Sequence, residues 1–277
     1  MKPSKANHVL TGAIFFASAF MTSFYALPIS AAEKPNSPPV KFHPASCAGS
    51  YRHHLQGICT DGQSTIFWSF TTTMVKTDSS GKVLKKIDVK NHHGDLCHHA
   101  GKLYVAVNFG PFNDPAGKAD SRVYVYRASD LSLLAKHKTP RIIYGAGGIG
   151  FRNGHFFVVG GLPAKIAVNY IYEYDGQFRF VKEHQLKSGQ TRLGIQTATF
   201  ADGQWWFGCY GTPKILLRAS ADLKKVERFK LDCSLGIVGV SKGRFLVAKG
   251  PCDKSKGCRG SVVFMISDKK QGLIAPR

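Results

Sequence analysis

The chain has 277 residues, with 38 Lys and Arg against 17 Asp and Glu, a formal charge of +21. At 43% hydrophobic and 12% aromatic residues it has ample material for a core, which excludes a disordered basic tail. Its 29 Gly and 13 Pro follow no collagen-like period.

Residues 1–32 read as a signal peptide. Lys2, Lys5 and His8 form the basic start, Val9 to Leu27 is largely apolar, and Ser30-Ala31-Ala32 offers the small residues of a cleavage site before Glu33. The competing reading is an uncleaved anchor, but Thr11, Ser18, Thr22 and Ser23 dilute the apolar run. No stable membrane span is expected after cleavage, and the protein is expected to be secreted or periplasmic. Residues 33–44, rich in proline, form a linker, and 45–277 a single domain.

Five related units follow. Each has a glycine turn between two apolar strands: ICTDG-QSTIFWSF at 58–70, LCHHAG-KLYVAVN at 96–108, IGFRNG-HFFVVGG at 149–161, TATFADG-QWWFGCYG at 197–211 and IVGVSKG-RFLVAKG at 237–250. The turn glycines are Gly62, Gly101, Gly154, Gly203 and Gly243. In the first four units a third strand, a turn and a charged fourth strand come next, as in TMVKTDSSGKVLKKIDV (73–89) and ILLRASADLKKVERFKL (215–231). No segment sustains a 3.6-residue period. Antiparallel units recurring every ~40–50 residues predict a five-bladed β-propeller of four-stranded blades. A β-sandwich is the structural rival, set aside by the five copies in frame. The blade pattern over about 54–267 resembles the loosely patterned NHL, YncE and SMP-30-like propellers, a resemblance that implies a fold and carries no function-specific motif. The fifth unit ends in a weak tail, Gln271–Arg277, so Pro39-Val40-Lys41-Phe42 is expected to supply its outer strand and close the ring.

An odd count of 7 cysteines leaves at least one without an intramolecular partner. Cys252 and Cys258, flanking DKSKG, suit a local disulfide in an exported chain. The pairing of Cys47, Cys59, Cys97, Cys209 and Cys233 is open.

Inner strands of a propeller begin beside the central channel. Counting back from the turn glycines aligns His54 with His93, and Gln56 with Asp95, at the start of two adjacent units. Three readings compete. His54, His93 and Asp95 could ligate a divalent metal; a histidine could act as general base oriented by Asp95; or the side chains could simply satisfy strand ends. Tyr144, Arg192, Gln196 and Thr197 begin or precede later inner strands and are further ligand-binding candidates. An Arg and a Tyr facing a His would suit a carboxylate-bearing sugar, but no lyase motif can be matched. Gly145–Gly150 superficially suggests dinucleotide binding, yet it leads into a strand rather than a helix. Most aspartates fall in turns, so a glycosidase carboxylate pair is disfavoured, with Asp232 the remaining partner for Asp95. Outer-strand clusters such as Lys82, Lys85, Lys86 and Lys90 read either as a solvated rim or as an attraction to anionic polymers.

Two function classes result. One is a monomeric exported propeller binding an anionic glycan or an extracellular protein at its axial face; the other is a lyase or metal-dependent hydrolase of an acidic polysaccharide. Nucleic acid is a poor partner, because the compartment is wrong and no recognised binding motif is present.

Overall fold

The computed structural model describes residues 42–276. Among them no helix occurs, and the strands form five antiparallel sheets. Blade 1 is β2 (Leu55–Thr60), β3 (Thr65–Phe70), β4 (Thr73–Asp78) and β5 (Val83–Asp88). Blade 2 is β6 (His93–His99), β7 (Lys102–Asn108), β8 (Ser121–Arg127) and β9 (Leu133–Lys138). Blade 3 contains β10 (Ala146–Arg152), β11 (His155–Gly160), β12 (Asn169–Tyr174) and β13 (Phe180–Leu186). Blade 4 contains β14 (Arg192–Ala201), β15 (Gln204–Tyr210), β16 (Ile215–Ser220) and β17 (Val226–Phe229). The fifth sheet is ordered β1 (Ala45–Tyr51), β21 (Gly257–Asp268), β19 (Arg244–Lys249) and β18 (Ile237–Ser241), with short β20 (Cys252–Asp253) and β22 (Gly272–Ile274) also on β21. This is a five-bladed propeller.

Burial falls from axis to rim. The second strands are buried on both faces because a blade lies on either side, which is why they read as unbroken apolar runs rather than alternating ones. Successive residues then feed different layers. Ile66, Trp68 and Phe70 enter the layer between blades 5 and 1, whereas Phe67 enters the layer between blades 1 and 2. Trp205 and Phe207 likewise face blade 3, and Trp206 faces blade 5. The core is thus five apolar layers, one at each junction. The outer strands β5, β9 and β13 are mostly exposed and carry the lysines.

The N-terminal segment closes the ring, but through different residues from those expected. Residues 39–41 lie outside the described residues, and Phe42–Pro44 is not strand, although Phe42 is buried in the layer between blades 5 and 1. The outer strand is β1, paired Ala45↔Val262, Ser46↔Ser261 and Cys47↔Gly260 with a bulge before Tyr51↔Cys258. The far half of β21 pairs with β22. At 12 residues β21 is long enough to seat both, so the weak tail and the N-terminal strand share one edge. The expected disulfide joins Cys252 to Cys258 across the β20–β21 hairpin. Cys47, Cys59, Cys97, Cys209 and Cys233 are free and buried.

Closure depends on Tyr51, whose ring is stacked on Phe70 at 3.9 Å and whose hydroxyl donates to the Ala48 carbonyl at 2.8 Å. Tyr51→Ala should lower unfolding stability by about 3–5 kcal/mol, the usual cost of deleting a buried aromatic ring. The check is the shift of the urea denaturation midpoint.

Candidate functional site at the axial mouth

Strand pairing sets the true alignment at the axis. Ile58, Leu96, Ile149, Ala198 and Ile237 pair with the central residues of the second strands, Trp68, Val105, Val158, Phe207 and Val247. They form one ring. The residues just before them are Gly57, Asp95, Gly148, Thr197 and Gly236, so Asp95 supplies the sole acid of that level among small neighbours.

Asp95 is 1% exposed. Its Oδ2 accepts the Ala198 N–H at 2.9 Å, and the backbone N–H groups of Leu96, Ile58 and Ile149 also face the carboxyl. Four blades therefore turn a backbone donor toward one side chain. Burial pushes the carboxyl well above the usual carboxylate range, against the opposing pull of those amides. Gly57 is required beside it, because a Cβ there would stand 2.2 Å from Asp95 Oδ1 and 2.4 Å from its backbone Cα. Asp95 is thus an axial plug below the mouth.

Above it opens a pocket of about 300 Å³, lined by His54, Gln56, His92, Asn108, Gln196 and Tyr210, among others. The residues come from the starts of inner strands and the ends of second strands. The Gln56 side-chain nitrogen lies 2.8 Å from His92 Nε2, 3.0 Å from His54 Nε2 and 3.1 Å from Thr71 Oγ1. An amide nitrogen carries two hydrogens, so it serves two of these three acceptors at a time. Burial lowers the pKa of both rings, helped by the charge of His53 at His54 and of His54 at His92. Gln196 is fixed by donation from Nε2 to the Leu193 carbonyl at 2.7 Å. The Tyr210 hydroxyl is held above its ordinary pKa, by burial first and then by Asp232. The His92 ring lies 6.5 Å from Phe112, which also lines the pocket. No Asp, Glu, Lys or Arg lines it.

His93 does not belong to this mouth; its structural equivalent in blade 1 is not His54, which matches His92 instead. The first hairpin has four residues between its strands, Asp61–Ser64, where the others have two, so counting back from the glycines puts the frames one residue out of step. Strand alternation then sends His93 into the layer between blades 1 and 2. There Nδ1–H donates to the Lys90 carbonyl at 2.7 Å and Nε2 accepts from the Tyr126 hydroxyl at 2.8 Å. Burial pushes His93 down to about 4. The expected metal set of His54, His93 and Asp95 is therefore split among a mouth, a layer and an axial plug. Among the described residues no group of three His, Cys, Asp or Glu side chains converges as a metal site.

The other expected residues divide as well. Gln56 and Gln196 line the mouth. Thr197 is buried beneath it, donating to the Cys233 carbonyl at 2.8 Å and accepting the Gly208 N–H at 3.2 Å. Tyr144 stands outside the pocket lining, its ring 6.2 Å from that of Tyr170. Arg192 lines a separate pocket on blade 4. Sequence reasoning missed His92, Asn108, Phe112 and Tyr210. The second histidine of the His92-His93 doublet was chosen where alternation selects the first, and Asn108 and Tyr210 close their second strands at the mouth.

No family model matches the chain, and no curated protein does. The NHL, YncE and SMP-30-like resemblance accordingly has no family match behind it. Among solved structures, the chain is similar to the structure of U3-55K at 12% identity and TM-score 0.49, over 86% of this chain and 69% of that one. It is similar to the WD40 β-propeller domain of Doa1 at 11% identity and TM-score 0.45, over 80% and 69% of the two chains. A protein of unknown function from Bacteroides caccae matches at 11% identity and TM-score 0.47, over 75% and 82%. The propeller itself is read from the strand pairing above.

Two outcomes follow from the axis. Gly57→Ala should destabilise the fold by about 1–3 kcal/mol, the usual cost of overpacking, as read by chemical denaturation. For His93, burial holds the pKa of the folded protein at about 4, below the 6.5 of an exposed imidazole. Its neutral form therefore stabilises the fold fully above pH 6.5, and that contribution is lost as the pH falls toward 4. Wild type should lose on the order of 3 kcal/mol more than His93→Gln across that window, as compared by urea midpoints.

Proposed function

We propose that the chain is an exported propeller that binds an acidic glycan at its axial mouth without turning it over. The observation that carries this reading is the lining of the pocket. Side-chain amides of Gln56, Asn108 and Gln196 and the neutral imidazoles of His54 and His92 offer both donors and acceptors, as sugar hydroxyls require. Phe112 and Tyr210 add the apolar faces on which a sugar ring can rest.

Charge supports an acidic ligand. The mouth face bears Arg52, Lys90, Lys165, Lys187, Arg192 and Lys230, all exposed and outside any ion pair among the described residues. The disulfide in the fifth blade and the leader read in residues 1–32 support an oxidising compartment outside the cytoplasm. Among the described residues no helix is long and apolar enough to cross a membrane.

The catalytic alternative, a lyase, rests on His54 and His92, of which one would exchange its contact with the Gln56 amide for the substrate proton. A metal-assisted hydrolase has no ligand set at the mouth, and a glycosidase has no carboxylate pair there.

The test is calorimetric titration of the full chain with polygalacturonate oligomers, followed by chromatography of the sugar. Gln56→Ala and His92→Ala should each weaken binding by about tenfold, the size of one or two lost hydrogen bonds. The melting temperature of His92→Ala should stay within about 3 °C of wild type, as for a substitution of a partly exposed residue, whereas the buried Gln56 should also lose some stability when truncated. Intact sugar after long incubation supports binding alone. Unsaturated fragments that vanish in the His92 variant would establish the lyase instead.

A further inference from the structure

We infer that a second pocket, on the blade 4 flank of the mouth face, is a dedicated subsite for the acid group of the ligand. It rests on the reading of the mouth as a glycan site and names what that site would select. The pocket, about 480 Å³, is lined by Gln190, Arg192, Thr212, Arg228, Phe229 and Lys230, among others, and by no acidic residue. It adjoins the mouth through chain neighbours: Leu193 and Tyr210 line the mouth, while Arg192 and Gly211 line this pocket.

Three cations share this space, and the nearby acids are engaged elsewhere. Glu227 accepts from Arg218 Nε at 2.8 Å, and Asp232 lies 3.7 Å from Lys214 Nζ. Arg192, Arg228 and Lys230 form no ion pair among the described residues. Their mutual repulsion is relieved by solvent or by a bound anion.

Arg228 gives the pocket its selectivity. Nη1 donates to the Ser188 carbonyl at 3.0 Å and to the Gln190 carbonyl at 3.1 Å, and Nη2 donates to Gln190 at 3.1 Å. Neutral carbonyls hold the guanidinium in place without cancelling its charge. Three of its five donors are occupied, which leaves the Nε–H and one Nη2–H. Those two form the side-on fork that grips two oxygens of one carboxylate or sulfate. A cation already held in this way loses little conformational freedom on binding, unlike a free surface lysine. Arg192 and Lys230 supply the remaining charge. The structure thus places a neutral, hydroxyl-reading pocket beside a cationic one, an arrangement suited to a sugar carrying an acid substituent.

The experiment uses the full chain and three probes: neutral dextran oligomers, dextran sulfate oligomers and polygalacturonate oligomers, titrated at fixed ionic strength. Arg192→Gln/Arg228→Gln should lose at least tenfold in affinity for one or both acidic probes and change neutral dextran binding less than twofold. Whichever acidic probe shows the larger loss identifies sulfate or carboxylate as the preferred group. Lys85→Gln/Lys86→Gln on the outer strand β5 removes the same formal charge and should change every affinity less than twofold. Equal losses in the two double variants would overturn the subsite in favour of general charge attraction. So would an unchanged Arg192→Gln/Arg228→Gln variant, or a wild-type protein that binds neither acidic probe. If Gln56→Ala binds all probes as wild type does while the arginine variant loses acidic binding, the mouth reading fails and the anion pocket stands by itself.

Discussion

The buried carboxyl of Asp95 is the point on which the axis of this propeller turns. It occupies the level where inner strands of the ring converge, and donors from blades 1, 2, 3 and 4 face it. Burying such a group is costly unless its polar atoms are met; here the Ala198 N–H meets Oδ2, while Oδ1 is buried without a hydrogen-bond partner among the described residues. The same side chain leaves no room for a Cβ at Gly57, while Gly148 is kept small by the close approach of the Gln196 carbonyl. A neighbouring close approach repeats the constraint: a Cβ on Gly94 would come 2.3 Å from the Gly147 carbonyl oxygen. The channel is therefore filled by backbone and one acid, and open space is left at its ends.

Around that centre the stability is distributed. No blade has a core of its own, because each apolar strand face is buried only by the next blade. Such a structure depends on its last junction as much as on its first. The chain makes that junction with β1, from the opposite end of the sequence, so the layer between blades 5 and 1 joins Phe42, Cys47 and Tyr51 to Trp68 and Leu246. Arg218 adds a polar clasp at the junction of blades 4 and 5, donating to the carbonyls of Asp268 and Lys269 while lying over the Trp206 ring.

Much of this was legible in the sequence. The five turn glycines all adopt positive φ, as tight hairpin turns require, and their recurrence marked the blades. Runs such as TIFWSF and QWWFGCY marked the doubly covered strands. What escaped was register. One longer hairpin at Asp61–Ser64 shifted the first blade against the second, and a shift of one residue exchanges the two sides of a strand. That is why His93 was assigned to a mouth that His92 lines. Asp95 was located at the axis, but its role there could not be read, because the donors that surround it belong to strands far apart in sequence. The closing strand was misplaced for a related reason: Pro39–Phe42 has the apolar look of an edge strand, whereas ASCAGSY pairs mainly through its backbone.

The use of aspartate links the fold to the ligand proposed for it. Asp61, Asp78, Asp130, Asp175, Asp222 and Asp268 each accept backbone N–H groups within hairpin turns, all at the end of the blades opposite the mouth. Hydrogen bonding holds these six carboxyls below their ordinary pKa, so they remain charged where they stand. Acids on the mouth face are engaged locally: Asp120 with Arg122, Asp88 with the Thr73 hydroxyl, Asp114 and Asp253 with the N–H groups of their own turns, and Asp232 with Ser234 and near Lys214. A chain with 38 cationic and 17 acidic side chains has few carboxylates to distribute. Placing six of the 17 in the far turns leaves several lysines and arginines of the mouth face without counter-charges. The electropositive mouth thus arises from how the hairpins are stabilised, and it needs no dedicated basic motif in the sequence. An acidic ligand would meet that field before it met any single residue, with the pocket chemistry then deciding whether it stays.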